Sequence, residues 1–294
     1  MKVGLFALGA ATANPMAVLK ALAEGAERHG FSTLWVPEHV VLLDKYASRY
    51  PYSESGELPA RTDGSIPDPF VTLTAMGAVT SRIRLGTGIC LVPEHNPVVL
   101  AKVVATLDWL SGGRVVLGTG IGWLAEEFAA IGIPWERRAA RTRECIEAMR
   151  RLWKDPVSSY RGEFVSFEGV RSNPKPARGA GVPVVFGGES GPALKRTAEY
   201  GDGWFGFNLT PDEASTKIRR IEELLQANQR KRSDVELIVS PYLKPIKPDD
   251  LKRYRDSGVD EVVITNMRLP RTIEEVSANL DSAARTWLEL ASKL

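Results

Sequence analysis

The strongest constraint in this chain of 294 residues is a rhythm: short apolar runs alternate with longer amphipathic stretches from end to end. "KVGLFAL" (Lys2–Leu8) is apolar at nearly every position, the pattern of a strand buried on both faces. A helix is predicted from about Asn14, a possible N-cap with Pro15 at the first helical position, to His29 before Gly30. "TLWVPEH", "IRLGTGICLV", "RVVLGTGIG", "VPVVFGG", "GWFGF", "VELIVSPYL" and "DEVVITN" read as strands two to eight. Helices are predicted at about Phe70–Ser81, Pro97–Leu110, Arg137–Trp153, Pro192–Tyr200, Pro211–Asn228, Pro248–Ser257 and Thr272–Leu290, with a short helical piece near Ala125–Ala130. Two insertions break the rhythm: a long excursion, Val40 to Pro69, after strand two, and a small hairpin, "SSYRGEFVSFEG", before strand five. No linker or composition shift divides the chain, so residues 1–294 read as one domain. Eight strand–helix pairs in a chain near ~250 residues match a closed (β/α)8 TIM barrel. A doubly wound sheet, usually with about six strands, is the alternative.

Glycines gather where strands end. "RVVLGTGIGW" places Gly118, Gly120 and Gly122 after strand four. The spacing is not the Gly-x-Gly-x-x-Gly of a dinucleotide fold, and no long helix follows directly. A barrel gives another reason for them: its active site lies at the carboxyl ends of the strands, where a flat ring approaches backbone only if side chains are small. After strand five, Gly187, Gly188 and Ser190 lead into a helix whose free N–H groups and dipole form an anion cradle; a tight turn with an N-cap is the simpler alternative. Gly88 and Ile89 end strand three, and Glu38 and His39 end strand two. An imidazole there can give or take a proton near neutrality.

Charge excludes some partners. Thirty-eight Lys and Arg stand against 36 Asp and Glu, for a net charge of +2, which argues for neither nucleic acid nor an anionic membrane. The basic clusters Arg137-Arg138 and Arg230-Lys231-Arg232 read as solvated helix faces. No apolar run reaches the ~20 residues of a membrane span. Cys90 and Cys145 read as reduced core residues, and a cytoplasmic location is expected.

Together the stretches "GFSTLWVPEH", "RIRLGTGICLVPEHNPVVLAKVVATLDWLSGGRVVLGTGIGW", "EEFAAIGIPWERRAARTRECIEAMRRLW" and "NPKPARGAGVPVVFGGESGPALKRTAEYGDGW" resemble the luciferase-like flavin monooxygenase and deazaflavin-dependent oxidoreductase superfamily. The resemblance implies a barrel holding the deazaflavin F420, or FMN in the alternative branch, at the strand ends. It implies hydride transfer to or from a small-molecule substrate, or, with FMN, oxygenation by molecular oxygen. A non-catalytic flavin- or deazaflavin-binding protein is a further alternative. It implies His39 as the catalytic residue over the reacting ring. Cofactor binding falls to His39, Gly88, Ile89, Gly120, Ile121, Gly122 and Trp123, and to Gly187, Gly188, Glu189 and Ser190. Many relatives carry a non-proline cis peptide at the position of Gly88–Ile89. Trp123 stands where deazaflavin-dependent sugar-phosphate dehydrogenases carry a glutamate proton donor, so the resemblance does not extend to that activity. Relatives are commonly dimers, so a homodimer is expected, and a separate cofactor reductase is compatible with either branch. No metal site is expected.

Other polar residues have weaker claims. Glu126 is the carboxylate expected to reach the cavity if either Glu126 or Glu127 does, a solvated helix face being the simpler alternative. His29 reads as a solvated helix-end residue, while His95 is placed in the loop after strand three, where lining the pocket and pointing away from it both stay open. The excursion carries Lys45, Tyr46, Arg49, Tyr50, Tyr52, Arg61 and Asp63; it reads as a lid whose cations meet an anionic ligand, or as a solvated loop.

Overall fold

The computed structural model describes residues 1–7, 14–59, 62–265 and 270–294. Eight parallel strands close into a barrel: β1 (Lys2–Phe6), β2 (Thr33–Val36), β3 (Arg84–Thr87), β4 (Val115–Thr119), β7 (Val184–Gly187), β8 (Gly203–Phe207), β9 (Glu236–Ser240) and β10 (Glu261–Thr265). Closure is made by β1 against β10, in register from Lys2↔Glu261 to Phe6↔Thr265. The predicted hairpin is β5 (Ser158–Arg161) and β6 (Ser166–Val170), outside the barrel. The (β/α)8 expectation therefore holds, and the doubly wound alternative does not.

Helices α1 (Pro15–His29), α2 (Pro69–Gly77), α3 (Pro97–Ser111), α4 (Ala125–Ala130), α5 (Arg138–Lys154), α6 (Gly191–Tyr200), α7 (Pro211–Ala227), α8 (Asp250–Asp256) and α9 (Ile273–Ala283) follow the predicted order. Side chains cap several starts. Asp68 accepts from Val71 N at 2.8 Å, and Asn96 accepts from Val98 N and Val99 N at 3.0 and 3.2 Å. The second helix ends at Gly77 rather than the predicted Ser81. The reason is Glu27, whose carboxylate takes the amides of Ser81, Arg82 and Ile83 and turns the chain into β3. The last predicted helix breaks after Ala283 into a π turn, Ala284–Leu288. Leu8, Arg61 and Asn266 lie outside the described residues.

Two apolar layers hold the fold. The outer one packs helices on strands. The inner one fills the barrel with Phe6, Trp35, Val116, Val185, Phe205, Ile238 and Val263, one residue from each of seven strands. This is the layered filling of a packed barrel rather than a pore. A polar plug closes the amino-terminal end. Fully buried Glu261 accepts from Ser32 Oγ (2.9 Å), Thr33 Oγ1 (3.3 Å) and Trp35 Nε1 (3.3 Å), and it pairs with Arg84. A buried carboxylate persists only with such partners. Among the described residues, no helix is long and apolar enough to cross a membrane.

The basic cluster at 230–232 is structural rather than a solvated face. Arg230 donates to the carbonyls of Thr197, Ala198 and Gly201, and Arg232 binds Asp260 at 2.8 Å. His29 ends α1, as expected, and lies partly exposed 3.1 Å from the surface carboxylate of Asp281. Cys90 and Cys145 are buried free thiols, as expected.

Candidate active site

All eight barrel strands end at one face, where a cavity of about 550 Å³ opens. It is lined by every residue predicted for the site: His39, Gly88, Ile89, Gly120, Ile121, Gly122, Trp123, Gly187, Gly188, Glu189 and Ser190. The Gly88–Ile89 peptide is cis, as expected. Ile89 packs on the inner core cluster and forms part of the cavity lining. It has room because Gly120 and Gly187 lack side chains: a Cβ on Gly120 would overlap Ile89 Cδ1, and one on Gly187 would stand 3.0 Å from it.

One end of the cavity is cationic. Gly188 has φ +104°, a conformation that suits glycine, and Ser190 Oγ accepts from Ala193 N at 3.4 Å at the start of α6. Two arginines that the sequence expectations did not place in the site come to this end. Arg138 lies over Trp135, 3.5 Å from the ring centroid, and donates from Nε to Gly122 O at 3.4 Å. The Nε of Arg196 is buried with no hydrogen-bond partner. Burial, and then repulsion by Arg196, holds the Arg138 guanidinium below its ordinary range; burial does the same to Arg196. Two neighbouring cations with an orphan donor form a site that an anion completes. Arg138 thus leaves the solvated face assigned to its cluster. A signal for Arg196 was present: it stands three residues after Ala193, the helical spacing that puts both on one face.

The imidazole of His39 is fixed from behind. Its Nδ1 lies 2.7 Å from Glu127 Oε2, and Glu127 Oε1 accepts from Val40 N and Val41 N at 2.6 and 3.1 Å. When the ring is neutral, a proton on Nδ1 is donated to the carboxylate and Nε2 is left as an acceptor for the cavity. Neither Glu126 nor Glu127 lines the cavity, so the reach expected of Glu126 is not met, and the two differ in burial. Glu127 is fully buried, while Glu126 Oε1 accepts from Ala47 N and Ser48 N at 2.6 and 3.2 Å. Both sit in the first turn of α4, and successive helical residues point about 100° apart. Both carboxylates hold amides of the excursion, Glu127 at its root beside His39 and Glu126 further along it. His95 does not line the cavity; its Nε2 pairs with buried Glu38 at 2.9 Å.

The excursion is a folded lid. Tyr46 and Tyr50 meet Trp123 edge-on at centroid distances of 5.7 and 5.1 Å, and Tyr52 meets Phe207 at 5.0 Å. Asn208 Nδ2 ties the Tyr52 carbonyl at 2.9 Å. The solvated-loop alternative fails on these contacts. Of the cations expected to meet an anionic ligand, Arg49 donates to the lid's own carbonyls of Glu54 and Ser55, Lys45 is exposed, and Arg61 lies outside the described residues. The lid contributes aromatic rings, and the charges come from α5 and α6.

Glu189 is a second carboxyl on the cavity wall. It accepts from Phe207 N at 2.8 Å and bonds the Tyr52 hydroxyl. Burial pushes it up to about 7, against the pull of those two bonds. The folded protein therefore keeps this proton to about pH 7, while the unfolded chain releases it near 4.5. Stability is expected to fall as pH rises through that window, by about 3 kcal/mol. Glu189→Gln should flatten that segment of the curve, as read from urea midpoints on either side of it.

Residues 1–246 match the family model described as luciferase-like monooxygenase. A protein of Mycobacterium tuberculosis is 39% identical over 246 residues, which cover 83% of this chain and 85% of that one. The monooxygenase RslO1 from Streptomyces bottropensis superposes with a TM-score of 0.79 at 21% identity, covering 98% of this chain and 99% of that one. The coenzyme F420 dependent tetrahydromethanopterin reductase from Methanopyrus kandleri superposes with a TM-score of 0.75 at 17% identity, covering 98% of both chains.

Proposed function

The chain belongs to the luciferase-like monooxygenase family, and on that premise we propose that it is an F420-dependent oxidoreductase acting on a small organic substrate under the lid. The observation that carries this reading is the division of one cavity into an anion cradle and a buttressed imidazole. Arg138, Arg196, Ser190 and the free amides at the start of α6 would hold the cofactor phosphate. Gly88, Ile89, Gly120 and Gly187 leave room for a flat ring over the barrel core. When bound, F420 supplies two-electron hydride chemistry. The protein's own work is proton handling and water exclusion. His39, oriented by Glu127, exchanges a proton through Nε2 with the substrate oxygen or nitrogen. Tyr50, Tyr52 and Trp123 cover the reacting centre. The indole N–H of Trp123 is too weakly acidic to transfer, so the donor role that a glutamate plays at this position elsewhere falls to His39.

The second reading is an FMN-dependent monooxygenase, favoured by the superposition on a protein named as a monooxygenase. Oxygen consumption separates the two: the F420 reading expects substrate conversion under anaerobic conditions. Conversion only with oxygen and reduced FMN would assign the second. Binding of cofactor with no conversion across enones, alcohols and imines would leave a carrier.

The partner in this reading is a second copy of the chain. Val71 on α2 and Val99, Trp109 and Leu110 on α3 are all more than half exposed, an unusual apolar load for adjacent helices. A two-fold axis through this face would bury it on both copies. Sedimentation is expected to give twice the 32.2 kDa chain mass, and Trp109→Glu to give the monomer.

A further inference from the structure

Behind the cavity wall sits a carboxyl group without a partner. Glu94 ends the short helical turn Val92–Glu94 that follows β3, and it is 7% exposed. Both of its carboxyl oxygens are buried, and neither has a hydrogen-bond partner. It is close to the cavity but outside it. Gly122 lines the cavity, and a Cβ there would stand 3.4 Å from Glu94 Oε1. The Phe128 ring also lies against Gly122.

Its neighbours make the isolation informative. The charged groups facing Glu94 are Glu127 on α4 and Glu38 after β2. Both are buried, and each is committed: Glu127 to His39 and two amides, Glu38 to His95 and to Leu91 N at 2.5 Å. Cys90, the other titratable group nearby, is a fully buried thiol pushed up by burial and by Glu38 and Glu94. Among the described residues, no cation pairs with Glu94. A third carboxylate in this space would be an uncompensated buried charge, whereas the neutral carboxylic acid leaves no charge to compensate.

We propose that Glu94 is a positioning residue that keeps its proton and thereby holds the buried Glu127–His39 pair to one negative charge. The consequence for the proposed reaction, on which this inference rests for its catalytic meaning, follows from charge counting. Two carboxylate charges beside one imidazole favour the imidazolium, which cannot accept a proton. With Glu94 neutral, Nε2 remains able to accept one. Burial, with the added repulsion of Glu127 and Glu38, raises the Glu94 carboxyl to about 9, so the arrangement persists through neutral pH and breaks only in alkali.

The test needs neither cofactor nor substrate. The chain has three histidines, so their ring resonances in histidine-labelled protein are few, and His39 is assigned by its loss in His39→Asn. In the wild type, the His39 ring shifts are expected to show an inflection near pH 9 that follows Glu94. In Glu94→Gln, which stays neutral, the neutral-pH shifts should match the wild type and the alkaline inflection should vanish. A wild type with no such inflection, or one that persists in Glu94→Gln, would overturn the proposal. If Glu94→Gln fails to fold, the wild-type titration alone decides: a flat His39 response through this region refutes it, and an inflection tracking the Glu94 carboxyl carbon in labelled protein supports it. Failure of the F420 reading would leave these results unchanged, because they are read from the protein without ligand.

Discussion

His39→Asn is expected to bind cofactor within a few-fold of the wild type and to lose about 10²–10⁴-fold in turnover, the usual scale of general acid–base catalysis. Asparagine keeps a short polar reach, and its amide can still donate to Glu127, so the lid anchors at Val40 and Val41 should survive. What it removes is a group that can change its proton count. The pH–rate profile should therefore lose one limb. Steady-state rates and cofactor titrations on the same preparations separate the two effects. Full turnover with an unchanged profile would reduce His39 to a wall residue.

Arg196→Gln is the second large effect, and it acts on binding. A charge-assisted hydrogen bond to an anion is worth about 1.5–3 kcal/mol, so loss of this guanidinium should weaken cofactor binding by roughly 10–100-fold. Arg138→Gln should add to it, though less than additively, because the two cations share one anion. Gly188→Asp also places negative charge in the cradle, but it forces a non-glycine residue to φ +104° and puts a Cβ 3.1 Å from that of Ala193. Its effect would mix repulsion with backbone strain, which makes Arg196→Gln the cleaner variant. An Arg196→Gln protein with wild-type affinity would move the phosphate elsewhere.

The barrel was legible because its strands are buried on both faces. Runs such as "GWFGF" are continuous apolar segments, and their count alone separates eight units from six. The glycine turns were legible for a related reason: Gly120 and Gly187 must clear Ile89, and that demand falls on the same residues in sequence and in space. The charged half of the site was not. Arg138 stands in a cluster that looks solvated, and nothing local reveals that Trp135 folds back beneath it. The six-residue helix has the bounds its sequence predicts, but which of Glu126 and Glu127 is buried depends on how that helix is rolled against the barrel, successive residues pointing about 100° apart. Glu94 and Glu38 are ordinary loop acids until the pairing of β2 with β3 brings the segments after those strands together.

The lid illustrates the same limit. Its cations suggested an anion-binding loop, yet Arg49 is spent on the lid's own carbonyls while its tyrosines face the cavity. Chemistry that depends on chain reversal over 20 or more residues is set by tertiary contacts rather than by local pattern.

The measurement that bears most directly on the account is an equilibrium titration of the wild type and Arg196→Gln with F420 and, separately, with FMN, followed by the absorption bands of each cofactor. The account predicts that the wild type binds F420 more tightly than FMN, and that Arg196→Gln weakens F420 binding by roughly 10–100-fold while the protein stays folded. Binding of neither cofactor, or F420 affinity unchanged by the substitution, would contradict it.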